Sequence, residues 1–558
     1  MIRRNIRVHP SADVLGSELM EALGSLVSVR FESCPNLVEC KHGDAVISLS
    51  GDDQVLTNLP HTGLCCFHFS QGVGASDRES GDDHIRFGNS QLLDQRLRGR
   101  ILAHRALPGL NFVRPERGDD VLANVRGHPV WIKREYPGLS ADIVSAPLPK
   151  PMEAEKPFDY LNGEQFIQLL PLVHFLRQVA PGSGWKGQPL RACFIFDDPN
   201  LHWTSYGFLH YRELVLRAKT LGYHVALATV PFDTWTTHRA TAVLFRENSK
   251  HLSLLIHGND HLRAELGQVR SPEQHLRLLA QSLRRIVRLE EAAGLHVARV
   301  MAAPHGACAE AALATMLVVG FEGACISTGS LRGWNRHRQW QPTFGLEIAE
   351  IMDGGLPVLP RFRMSTSCEG LIVISAFLDR PIIPFGHHDT VADGLDLLSH
   401  LTDVINSLGA VRWENPELML RSNYLSLQEG ATLRLRPFSC RIQLTVPDDV
   451  TTMVLDTPRK ASDPYSGGYD LITSRAAESQ PARIAPGEPV SVRPGMAVEL
   501  TAPGLGTVDF RKVKPMPPSP WALTRRILCE GRDRLRPLIS RRRGFAVMPI
   551  YGPPNAAD

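Results

Sequence analysis

The sequence predicts an α/β protein, with a barrel-like (β/α) domain between a mixed α/β N-terminal domain and a C-terminal β-sandwich. Two observations carry this. From about residue 160 to 425, short apolar runs alternate with longer amphipathic segments, the pattern of parallel strands and their covering helices. After about residue 430 the hydrophobic period shortens to two, and proline and glycine punctuate the runs. At 558 residues the chain exceeds one ordinary domain. The expected division is 1–155 for the N-terminal domain, 156–428 for the barrel, 429–515 for the sandwich and 516–558 for a basic tail.

In the first domain, AVISL (45–49) and LCCFHF (64–69) read as buried strands, and VLANVRGHPVWIKRE (121–135) as a hairpin turning near Gly127. Residues 146–159 carry Pro147, Pro149, Pro151 and Pro157 and read as a semi-rigid linker. The barrel strands are expected at ACFIF (192–196), YHVALAT (223–229), LSLLI (252–256), ARVMAA (298–303), GACIS (323–327), LIVISA (371–376) and PIIPF (381–385). Ser271 and Pro272 mark a helix start, followed by Leu276, Leu279, Leu283, Ile286 and Val287 on one face. A second helix is expected over 392–408, with Leu395, Leu398, Leu401, Ile405 and Leu408 inward and Gly409 at its end. Farther on, Cys440, Ile442, Leu444 and Val446 alternate with Arg441, Gln443 and Thr445 as in a half-buried strand. TTMVLD (451–456), EPVSVRP (488–494) and GMAVELTAP (495–503) follow as further strands. The tail holds RRILCEGRDRLRPLISRRR, partly helical and expected to be a solvated or disordered arm, with contact to an anionic membrane or a partner as the alternative.

An apolar fraction of 43% with 21% charged residues describes a soluble protein with an ample core, and a net charge of +3 gives no reason to expect nucleic acid. The ten cysteines are scattered without a CxxC pair, as buried thiols of a reducing compartment would be. MIRRNIRVHPSADVLGSELM has no apolar h-region, and no run approaches the ~18 apolar residues of a membrane span. With Met1 as the start, the expected location is cytoplasmic, or peripheral at the inner membrane face through the tail.

The chemistry-bearing residues cluster just after the barrel strands. Asp197 and Asp198 follow ACFIF, His257 and His261 follow LSLL, Pro304-His305-Gly306 follows ARVMAA, and His387-His388-Asp389 follows PIIPFG. In parallel α/β folds, ligand and catalytic groups gather outside the carboxyl ends of the strands. Two neutral imidazoles and a carboxylate suit a borderline divalent metal, zinc before others. Separated by four, His257 and His261 would share one side of a helical turn. One aspartate would join the metal set, and the other would remain ionised beside it as a general base.

This order of motifs resembles the polysaccharide deacetylase superfamily, carbohydrate esterases that hydrolyse N-acetyl groups on amino sugars, over roughly residues 190–410. The resemblance implies a distorted (β/α) barrel, with FIFDDP supplying Asp197 as catalytic base and Asp198 as metal ligand. It makes His257 and His261 the other ligands, and His387 or His388 the acid that protonates the departing amine. Two departures stand out. Ala302-Ala303-Pro304-His305-Gly306 lacks the arginine that heads the family's third motif, so Asp197 must find another partner. Pro199-Asn200 follows Asp-Asp where the family has glycine. The implied reaction is metal-assisted amide hydrolysis of an N-acetylated glycan, in the making of a surface polysaccharide. Trp203, Tyr206, Trp235 and Trp334 are the candidates for stacking on sugars, with His305 as a further substrate contact.

Two other functions fit parts of the pattern. A metal-independent glycoside hydrolase would need a carboxylate across the sugar from Asp197 or Asp198, from Asp233, Glu265 or Asp379. A non-catalytic carbohydrate-binding or assembly protein on a decayed barrel would explain the missing arginine. A non-haem iron oxygenase also uses two His and a carboxylate, but the βα alternation speaks against its usual all-β scaffold.

Overall fold

The computed structural model describes residues 4–10, 14–60, 63–74, 84–105, 110–150, 155–162, 165–180, 185–456, 468–473, 482–517 and 519–543. Parts of the expected linker and tail lie outside these residues. The chain divides into two compact units: Met1–Gly184 with Gln339–Glu347 and Ser367–Leu378, and Trp185–Arg338 with Ile348–Thr366 and Asp379–Asp558.

The first unit is built on a nine-stranded mixed sheet. Its parallel half runs Val29–Ser33, Arg4–His9, Ala45–Gly51, Leu64–Ser70, Leu139–Val144. The antiparallel half continues through His128–Tyr136, Asp120–Val125, His84–Phe87 and Ile101–Ala103. The expected hairpin around Gly127 is there, and Gly127 takes φ 79°, a conformation that favours glycine. LIVISA is not a strand. It lies in the helix Glu369–Phe377, whose residues Ile372–Phe377 are all buried. A short segment buried all round shows no period that separates helix from strand.

The second unit centres on a curled parallel sheet. Its strands are β1 (Phe194–Asp197), β2 (Val225–Thr229), β3 (Leu252–Ile256), β4 (Val297–Ala302), β5 (Gly323–Ile326), β6 (Pro357–Pro360), β7 (Phe362–Arg363) and β8 (Pro384–Gly386). The hydrogen-bonded order is β6-β5-β4-β3-β2-β1-β8-β7, and Glu350–Ile351 pairs antiparallel with β6. The ladder does not close into the expected barrel. Instead β6 and β7 form one extended segment, its first half paired with β5 and its second half with β8. Arg361 is the single residue between them. Small inner side chains, including Cys193, Ala226, Ala228, Ala298, Ala302 and Cys325, are buried together and leave room for the curl.

Helix α1 (Pro272–Ala293) begins at the expected point, with Ser271 and Gln274 in a reciprocal capping box. The second expected helix forms over Asp396–Asn406. The C-terminal strands make two four-stranded sheets. The basic segment forms helix α2 (Pro520–Arg543). It is not a free arm, because its charged face joins the loops around the site described next. Among the described residues, no helix is long and apolar enough to cross a membrane.

Candidate metal and catalytic site

Asp197 ends β1, and the next residue turns sharply: Asp198 has φ 82°, in the left-handed region. Among the described residues of this unit, four of the five non-glycine residues with positive φ are Asp198, His261, Ala264 and His305. Backbone strain of this kind persists where the surroundings enforce it, and it clusters at functional sites.

His257 and His261 leave β3 on a loop rather than the expected helical turn. Gly258 at φ 67° breaks the helical path. The buried Glu265 carboxylate then accepts from the backbone N–H groups of Asn259 (2.7 Å), Asp260 (3.1 Å) and His261 (3.1 Å). A Cβ on residue 258 would lie 1.9 Å from Glu265 Oε1, so the cradle requires glycine there. Helix α1 braces the loop from behind. Ser282 donates to the Gly258 carbonyl at 3.0 Å, and Arg285 Nη1 donates to Asp260 Oδ1 at 2.5 Å.

This loop brings three expected ligands together. His261 Nε2 stands 3.0 Å from Asp198 Oδ1 and His257 Nε2 stands 3.6 Å from it. One ligand atom from each residue lies within 4.8 Å of the other two. His257 Nδ1 donates to the Ala302 carbonyl at 2.8 Å, which leaves the Nε2 lone pair facing Asp198. Burial pushes His257 down to about 3, so the imidazole is neutral as a ligand must be. Asp198 Oδ1 is buried with no aligned hydrogen-bond donor. The His257 and His261 rings and an ionised carboxylate with a bare oxygen fit a divalent metal of the zinc type.

Asp197 is buried, and burial alone would raise its pKa. Arg361 outweighs that: Nη1 donates to Asp197 Oδ1 at 2.9 Å, and the guanidinium charge holds the carboxyl below its ordinary value. Arg361 is itself buried, its guanidinium 4.1 Å above the Phe385 ring. Arg361 thus gives Asp197 the partner that the Pro304-His305-Gly306 stretch does not supply. Its only signal in the sequence is a position directly after a strand, in LPRFR (359–363).

The adjacent histidines part company. His387 is one-third exposed, with Nε2 3.9 Å from Asp198 Oδ2. His388 is buried beside the Tyr206 and Phe208 rings, with Nε2 3.6 Å from Asp533 Oδ1 on α2. Gly207 makes room for it, since a Cβ there would lie 2.4 Å from His388 Nδ1. Tyr206, expected to stack on a sugar, is fully buried and donates its hydroxyl to Asp533 at 2.9 Å. Its ring has no face left for a ligand. Trp203, Trp235 and Trp334 are exposed, and exposed His305 lies 5.1 Å, ring to ring, from His261.

Helix α2 ties further loops of this rim. Arg526 makes a buried bidentate pair with Asp233. His202 donates from Nε2 to the Asp233 carbonyl at 2.7 Å and faces Glu530 at 3.1 Å through Nδ1. Burial works against a charge on His202, but the Glu530 hydrogen bond overcomes it and raises the pKa. No sequence signal linked these residues: Tyr206 and Asp533 are 327 positions apart.

No family model and no curated protein matches the chain. Among solved structures it is similar to Agd3, described as a novel carbohydrate deacetylase, at 10% identity, over 90% of this chain and 99% of that one, with a TM-score of 0.46. It is also similar to a putative polysaccharide deacetylase from Mycobacterium smegmatis, at 14% identity over 42% and 90% of the two chains, with a TM-score of 0.29. A family 4 carbohydrate esterase from Streptomyces lividans, in complex with acetate, is similar at 10% identity over 40% and 89%, with a TM-score of 0.24. At these identities and scores the chemistry has to come from the side chains.

Proposed function

We propose that the protein is a metal-dependent hydrolase that removes N-acetyl groups from amino sugars of a polysaccharide or its precursor. The observation that carries this reading is the meeting of Asp198, His257 and His261 around one point, with the Arg361-paired Asp197 and His387 beside them. Asp198, His257 and His261 would hold the metal, zinc by the donor set, and it would supply Lewis acidity to an acetamide carbonyl. The remaining work falls to the chain. Asp197, kept ionised by Arg361, takes the proton of the attacking water. His387, the exposed member of its pair, gives a proton to the amine nitrogen as the C–N bond breaks. His388 serves as a buried support. Trp203, Trp235 and His305 offer exposed surfaces for the sugar.

The geometry gives a glycosidase less to work with. Asp233 is engaged by Arg526 and Glu265 by three backbone N–H groups. The test is metal content together with acetate release from an N-acetylated oligosaccharide. Stoichiometric metal and acetate release are expected, with both lost in Asp198→Ala and His257→Ala. Asp197→Asn should keep its metal and lose about 10²- to 10⁴-fold in rate. Glycosidic cleavage without metal, or neither metal nor acetate, would overturn the proposal.

A further inference from the structure

Helix α2 is amphipathic the wrong way round for a helix lying on a globular surface. A surface helix ordinarily turns its apolar stripe inward and its charges to water. Here the buried side is polar: Arg526 pairs with Asp233, Asp533 accepts from Tyr206, and Glu530 faces His202. The outward side carries Trp521, Leu528, Leu535 and Ile539, spaced by seven, seven and four residues and so aligned along one face. Trp521, Leu528 and Leu535 are each more than half exposed, and Leu523 and Ile527 widen the patch. Among the described residues nothing packs over this stripe.

Charge narrows what could cover it. The helix holds eight arginines against two carboxylates, and both carboxylates are engaged inward, so none faces out beside the stripe. Exposed Arg532 falls along the stripe by the same helical spacing, and exposed Arg511, Lys512 and Lys514 precede the helix. The helix ends in Arg541-Arg542-Arg543. Apolar side chains including a tryptophan, set among arginines and lysines, match the interface of an anionic bilayer, where rings and leucines enter the acyl boundary and the cations meet phosphate headgroups. Self-association would bring the same basic clusters face to face.

We propose that the outer face of α2 is a docking surface for anionic phospholipid. The polar face would keep its grip on the rim loops while the apolar face lies in the headgroup layer.

The test is co-sedimentation of the full chain with vesicles of phosphatidylcholine alone, or with one third phosphatidylglycerol (~33%), at low and high salt. Binding is expected only with the anionic lipid, weakening as salt rises. The double variant Leu528→Gln/Leu535→Gln should bind about tenfold or more weakly, with unchanged circular dichroism and melting temperature. No binding by the unaltered chain would overturn the proposal, as would binding that the double variant retains. A dimer in gel filtration that this variant dissolves would place a second copy on the stripe and overturn it equally. The readout needs no glycan, so it is separable from the acetate assay.

Discussion

The loop at 257–261 and helix α2 both fix groups at the mouth of the same sheet, by opposite means. The loop is held locally, with Glu265 reaching back four to six residues to three backbone N–H groups. The helix reaches across some 300 positions and grips through ionised side chains. A local cradle is built from the chain that makes the ligands, so it fails only when the loop fails. A clasp of ion pairs can release while the strands beneath stay intact.

The strongest challenge to this contrast is Arg361, a distant residue that acts on the carboxylate proposed as the base. Arg361→Met should lower the rate of acetate release by about 10²-fold or more while metal content stays stoichiometric, because Asp197 then keeps its burial without its counter-charge. Next is Glu265→Gln, which replaces one acceptor oxygen of the cradle with a donor. Metal affinity, measured by competition with a chelator, should fall by about 10- to 100-fold. Asp533→Asn tests the clasp alone. We expect a loss of roughly threefold to tenfold in kcat, with metal content unchanged and melting temperature lowered. The smallest effect is reached by acid. Burial would push Asp533 and Glu530 up, but hydrogen bonds from His388 and Arg532, and from His202 and Arg534, hold each down to about 2. A carboxyl depressed on folding stabilises above its unfolded value and loses that contribution as the pH falls. Proteolytic nicking within α2 should therefore rise between about pH 4.5 and pH 2 before the circular dichroism of the sheet changes.

The same contrast explains what could be read from sequence. The gathering of Asp197, Asp198, His257 and His387 at one rim was legible because each follows closely on an apolar run, with His261 four residues after His257, and strand ends are where such folds gather ligands. The distinction between His387 and His388 was not legible, since it depends on Asp533 and Gly207 arriving from elsewhere. The Arg361–Asp197 pair spans 164 positions and leaves no spacing to recognise. LIVISA misled because burial on every side erases periodicity, and Tyr206 because a hydroxyl partner 327 residues away is invisible to composition. HxxxH pointed to two rings that do meet at Asp198, but with the wrong backbone: the i, i+4 spacing fits a helix, whereas Gly258 and the Glu265 cradle make a loop.

Arg361 has one more consequence. Its backbone is the point where one extended segment passes from pairing with β5 to pairing with β8, while its guanidinium grips Asp197 on β1, so opening the curl there would draw the cation away from that carboxylate. With Asp197 as the base proposed above, a chain that has begun to come apart there would disarm itself. Under that proposal, reactivity and shape would be fastened by the same thread.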